Sequence, residues 1–123
     1  MRIYIDTSSL FKLYHKETDS TTIENLFSTN NITSVFLSEI TKIEFASTIW
    51  KKVRKEEITA NEAIITLALF EADFEKYSFV AVDSFLVEQA RKLVSKYGTN
   101  GLRTLDSIQL ATAISLIQQV ICL

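Results

Sequence analysis

Proline is absent from this chain of 123 residues, glycine occurs twice, and cysteine and histidine occur once each. Nothing in the sequence explains the lack of proline. The other scarcities exclude specific chemistry. A lone cysteine, Cys122, rules out an internal disulfide and any cysteine-based zinc site. With only Gly98 and Gly101 there is no glycine-rich loop to cradle phosphate. The single histidine, His15, cannot furnish a multi-histidine metal centre. A Ser-His-Asp triad using Ser8 or Ser9 has no other support, so His15 is expected to be an ordinary, partly exposed helix residue. No apolar run approaches the roughly 20 residues of a membrane span. The opening Met-Arg-Ile-Tyr-Ile-Asp is too short in apolar residues for a signal peptide. A cytoplasmic protein with no membrane association is expected.

Positive charge is also scarce. The net charge is -2 and the pI is near 5.4, which argues against binding nucleic acid by bulk charge. One local cluster departs from this: Lys51, Lys52, Arg54 and Lys55. It reads as a solvated helix end, where cations complement the dipole, with a local basic patch as the alternative. Apolar residues make up 47% of the chain, enough to exclude disorder. A chain of this length suits one domain over residues 1–123, with roughly two-thirds of its unfolded surface buried on folding.

The patterning alternates strands and helices. Arg2–Ile5 reads as a strand ending in Asp6, and Thr7 to about Lys16 has helical spacing. Asp19 can cap a helix over 20–28, and Ile32–Leu37 is a second strand. Ser38 is placed to cap a helix reaching about Arg54. Thr59 and Glu62 form a capping box for a helix to about Lys76. Phe79–Val82 reads as a third strand and Ser84–Tyr97 as a helix, with Gly98 as a left-handed terminator. A helix from about Leu105 to Gln119 leads to a fourth strand over 120–123. Strands joined by helices favour a parallel sheet covered on both faces: an α/β fold in three α/β/α layers, with about four strands. The last helix lacks a polar stripe. Trp50, Ile108, Leu110, Ala111 and Ile114 are therefore expected to be largely buried.

Three carboxylates stand in unusual places. Asp6 follows an apolar strand, and ligands in parallel sheets gather beyond the carboxyl ends of strands. Glu44 interrupts the apolar run Ile43-Glu44-Phe45-Ala46, and Asp106 occupies the first turn of the apolar last helix. Each has a purely structural alternative. Asp6 can cap the next helix, Glu44 can sit on an exposed edge or pair with a cation, and Asp106 can complement the helix dipole. Together, three acids directed toward one sheet edge suggest an oxygen-ligand site for a hard cation.

The segments around these acids resemble the PIN-domain family of metal-dependent ribonucleases, most closely the VapC-type toxins. "IYIDTSSLFKLYHKE" is similar to the family's first strand, first acid and first helix. "SEITKIEFASTIWKKV" is similar to the helix carrying the second acid. "LRTLDSIQLATAI" is similar to the segment of the third acid and is the most specific match. The resemblance covers nearly the whole chain. It implies hydrolysis of single-stranded RNA with Mg²⁺ or Mn²⁺, with Asp6, Glu44 and Asp106 holding the metal directly or through water. Ser8 matches a position where a hydroxyl lines the pocket; otherwise it is a first-turn helix residue. A cognate antitoxin and a homodimer are the implied partners.

The chain departs from the family in one respect. A fourth acid usually follows the last of these strands, then a further helix and strand, whereas this chain closes on Val120-Ile-Cys-Leu123. A domain lacking the family's C-terminal elements is expected, with weakened metal binding. The alternative function is then a weakly active or inactive binding module that keeps antitoxin or RNA binding. A phosphoacceptor using Asp6 is a third reading. It is disfavoured because Ser8 stands where haloacid-dehalogenase-like enzymes need a second Asp, and because no late lysine follows a strand.

Overall fold

The computed structural model describes residues 1–16, 25, 27, 28, 31–116, 121 and 122. The elements run β1 (Arg2–Tyr4), α1 (Thr7–Lys16), β2 (Ser34–Ser38), α2 (Thr41–Arg54), α3 (Ala60–Ala72), β3 (Tyr77–Val80), α4 (Ser84–Tyr97), α5 (Thr104–Leu116) and β4 (Ile121–Cys122). The helix expected over 20–28 and its cap at Asp19 lie mostly outside the described residues, as does the link between α5 and β4.

The strands form one parallel sheet in the order β3-β2-β1-β4. Ile3 of β1 pairs with Val35 on one side and Ile121 on the other. Chain order reverses at β1: the next two strands add on one flank and the fourth on the other. In sheets of this kind the crevice beyond the strand ends at the reversal is the usual ligand site. Asp6 lies there, just past β1.

Alternation along β1 assigns the two faces. Ile3 and Ile5 join the main core with Val35 and Leu37, Leu10 and Tyr14 of α1, Phe45 and Ile49 of α2, and Phe70 of α3. Tyr4 points the other way and its hydroxyl reaches Gln109 on α5. Helices therefore cover both faces, giving the expected α/β three-layer arrangement. The main core is rich in aromatics, with Phe45 and Phe70 centroids 4.4 Å apart and Tyr14 edge-on to both. Polar groups at its edge are paired: the Tyr14 hydroxyl donates to Asp73 Oδ2 at 2.6 Å and also meets the Tyr77 hydroxyl, and Lys76 Nζ lies 3.5 Å from Asp73 Oδ1. A smaller cluster of Leu86, Ala90 and Ala111 joins α4 to α5.

Several local expectations need correction. Gly98 is right-handed (φ -58°) and continues into a 3₁₀ turn; the left-handed glycine is Gly101, at φ 90°. Ser38 is the buried last residue of β2 rather than a cap on α2, although its Oγ accepts from the Ile40 N–H at 3.3 Å. Helix α3 stops at Ala72, and β3 spans Tyr77–Val80 rather than 79–82, because Phe74–Lys76 tighten into a 3₁₀ turn. The capping box of Thr59 and Glu62 is present with both hydrogen bonds.

Burial of the last helix also differs. Ala111 is buried and Ile108 partly so, but Trp50, Leu110 and Ile114 are 38%, 38% and 48% exposed. Helix α5 packs chiefly on α4, so its other apolar flanks line open clefts: Leu110 faces the carboxylate cleft and Ile114 a groove beside α4. Trp50 lies one residue round α2 from fully buried Ile49 and is turned outward by that offset.

Candidate carboxylate cleft

Asp6 sits at the junction of β1 and α1. Its backbone carbonyl accepts from the Leu10 N–H at 3.0 Å, and its Oδ1 accepts from the Ser9 N–H at 2.9 Å. It is thus the N-cap of α1, and its carboxylate is held at the mouth of the sheet reversal. Glu44 lies in the first turn of α2, one position before fully buried Phe45, so burial of Phe45 sets which way Glu44 faces. Asp106 lies in the first turn of α5, where its Oδ2 accepts from the Arg103 backbone N–H and guanidinium Nε, each at 3.4 Å.

The structure brings these three to the wall of one cleft of about 280 Å³, together with Tyr4, Thr7, Ser8, Gln109, Leu110 and Ala113. A second cleft of about 300 Å³ shares Glu44 and Asp106 and adds Arg103, Thr104 and Leu105. His15 is remote in sequence from Asp6 along α1 and stacks on Phe11 with centroids 5.2 Å apart.

A network not anticipated from the sequence underlies the cleft. Gln109 Nε2 donates to Glu44 Oε1 at 2.6 Å and lies 3.1 Å from the hydroxyls of both Thr7 and Thr41. The Thr7 hydroxyl donates to the same Glu44 oxygen at 2.8 Å. The Tyr4 hydroxyl donates to Gln109 Oε1, which fixes the amide so that its N–H groups face Glu44. Four elements are tied through one amide. Glu44 Oε1 is satisfied by neutral donors, and Oε2 has no further partner among the described residues. The signal for Gln109 was present: it is the one amide in the apolar run of α5, three residues after Asp106 and hence on the same face. Thr41 stands three residues before Glu44 by the same spacing.

All the donors are oxygens: three carboxylates and the hydroxyls of Thr7 and Ser8. That set fits a hard divalent cation better than a soft or imidazole-seeking one. Among the described residues, however, no three acidic, histidine or cysteine side chains are grouped as a direct cage. The fit is to a cation that keeps water between itself and some of the carboxylates, as Mg²⁺ commonly does.

A parallel sheet of this order, flanked by helices and carrying acids from β1, α2 and α5 at its reversal, defines an α/β domain with a carboxylate-lined cleft. The chain belongs to the PIN-domain family, whose model matches residues 3–121. Members of that family are typically nucleases that depend on divalent metal. Among solved structures, the chain is similar to VapBC2 from Rickettsia felis bound to a DNA fragment from their promoter. The TM-score is 0.58 at 15% identity, covering 100% of this chain and 98% of that one. No curated protein matches the sequence. Among the described residues no helix is long and apolar enough to cross a membrane.

Proposed function

We propose that the chain is a metal-dependent endoribonuclease, the toxin of a type II toxin-antitoxin pair, hydrolysing phosphodiester bonds of single-stranded RNA in the cytoplasm. The observation that carries this reading is the shared cleft of Asp6, Glu44 and Asp106 at the sheet reversal. Asp6, Glu44 and Asp106 would hold Mg²⁺ or Mn²⁺, in part through water. Such a cation supplies charge neutralisation at the phosphoryl oxygens and a nucleophile at neutral pH. The chain's own groups orient and position. Gln109 and Thr7 occupy Oε1 of Glu44 and leave Oε2 to the cleft. Ser8 is exposed in the cleft wall and can donate to a phosphate oxygen. Arg103 beside Asp106 offers a cation where the scissile strand would enter.

A protein partner, the antitoxin or a second copy of the chain, would gain most at the apolar groove between α4 and α5. Phe85, Leu93 and Ile114 line it, with Lys92 and Lys96 beside them. The likeness to VapBC2 supports the antitoxin.

A second reading, a binding module of weak or no catalytic power, is favoured by the absence of a direct carboxylate cage among the described residues. Cleavage of single-stranded RNA separates the two. The nuclease should act with Mn²⁺ more readily than with Mg²⁺, stop with EDTA, and be lost in Asp6→Asn and Asp106→Asn while both variants stay folded. Cleavage by Asp106→Asn at the parent rate would assign the activity elsewhere. No cleavage by the parent in excess Mn²⁺ would leave the binding module.

A further inference from the structure

Helix α2 carries more than Glu44. Residues spaced i, i+3, i+7 and i+10 share one helical face, so Glu44, Ser47, Lys51 and Arg54 form one stripe. It is about 15 Å long at ~1.5 Å per residue. Ser47, Lys51 and Arg54 reach the surface, and Lys55 prolongs the stripe at the helix end. Along its flank stand two apolar side chains that reach solvent, Ile43 at 71% and Trp50 at 38% exposure.

The four cations of this segment do not behave alike. Lys52 pairs with Glu57 at 3.3 Å and lies over the Phe11 ring, 5.0 Å from its centroid. Lys51, Arg54 and Lys55 meet no carboxylate at ion-pair distance among the described residues, and Glu56 joins none of them. A chain of net charge -2 thus concentrates, on one strip that begins at its acidic cleft, three cations with no carboxylate partner among the described residues. Helix-dipole complementarity accounts for cations in the last turn. It does not account for an exposed tryptophan beside them.

We propose that this face of α2 is a track for single-stranded RNA leading into the cleft. Lys51, Arg54 and Lys55 contact successive phosphates, and Trp50 offers its ring to a base. The proposal rests on the ribonuclease reading and adds the route by which substrate reaches it. Charge favours this occupant over a second copy of the chain, since pairing two such faces would bring like cations together. Cations alternating with an aromatic surface are the combination that single strands use: phosphate attraction together with sequence-tolerant stacking.

The test is anisotropy of a labelled single-stranded RNA of about 15 nucleotides, a length within reach of such sites. The full chain is used in EDTA, so that binding is read without cleavage, over a salt series. Each phosphate neutralised on a single strand contributes about -0.7 to the slope of log K against log salt. Three contacts give a slope near -2, and Lys51→Ala/Arg54→Ala should reduce it to about -0.7. Trp50→Ala should weaken binding about tenfold with the slope unchanged, and Trp50→Phe should restore most of it. Lys12→Ala/Arg91→Ala, which removes the same charge from exposed positions on α1 and α4, should leave both unaltered. An unchanged slope in Lys51→Ala/Arg54→Ala overturns the track. So does a parent that ignores RNA yet binds polyglutamate through the same residues, which would make the face a protein-docking site. Cleavage in Mn²⁺ keeps the two readings apart. RNA bound along the stripe but never cleaved sinks the nuclease and supports the track. Cleavage with unchanged KM in Lys51→Ala/Arg54→Ala sinks the track and keeps the nuclease.

Discussion

Replacing Gln109 by leucine removes the amide that ties β1, α1, α2 and α5 together while nearly keeping the side-chain volume. Its strongest bond is to a carboxylate, Glu44 Oε1 at 2.6 Å, and hydrogen bonds to charged groups contribute about 1.5–3 kcal/mol. Glu44 is only half-buried, so water replaces part of that, and the lower end applies. Tyr4 is 2% exposed, and its hydroxyl loses its Gln109 acceptor, which adds about 1 kcal/mol or more. Gln109→Leu should therefore cost about 3 kcal/mol, and Tyr4→Phe about 1–2 kcal/mol by stranding the Gln109 carbonyl. The decisive quantity is the double variant. If Tyr4 acts through Gln109, removing its hydroxyl from a chain that already carries Gln109→Leu costs little. The pair should then be non-additive by about 1–2 kcal/mol. Urea unfolding in EDTA, followed by circular dichroism, measures all four corners without metal. Additivity within about 0.3–0.5 kcal/mol would show the two residues to be independent and refute the network as a unit.

Burial, and after it the neighbouring Tyr77 and Asp73, holds the Tyr14 phenol far above its ordinary value of 10.0, and burial does the same for Tyr77. A raised phenol stabilises fully below the unfolded value and loses that stability as pH rises beyond it. Thermal midpoints should therefore fall steeply above about pH 10, and Tyr14→Phe should flatten that fall; an equal fall in the variant would contradict the assignment. Phe45→Ala, at a fully buried site, should cost about 3–5 kcal/mol. Ile108→Ala, in the smaller cluster and partly exposed, should fall below the ~2 kcal/mol floor of buried Ile→Ala changes. The reverse order in urea would mean that the second cluster is the true core. Glu56 holds φ 60° as the left-handed residue closing α2, with Glu57 N–H donating to the Lys52 carbonyl at 2.9 Å. Glu56→Gly should stabilise by up to about 1 kcal/mol by relieving that conformation, seen as a higher thermal midpoint.

What the sequence determined by itself was local and periodic. Helix and strand types follow from the 3.6 and 2 spacings. The Thr59–Glu62 box follows from side chains three residues apart, and the parallel α/β class from the alternation of elements. The three segments around Asp6, Glu44 and Asp106 were enough to point to the family, because the acids sit within recognisable local patterns. Tertiary structure decided what depends on neighbours distant in the chain. Leu110 and Ile114 read as buried because an apolar residue in a helix does not reveal whether anything lies opposite it; here open clefts do. Gly98 and Gly101 are alike in sequence, and only the path of the chain assigns the left-handed turn to the second. Gln109 looked like one polar residue on an apolar helix. It becomes the link beneath Glu44 because the sheet carries Tyr4, Thr7 and Thr41 to it from 105, 102 and 68 residues away. A hydrogen bond across that separation leaves no periodicity to read; it exists only once the strands have set their order.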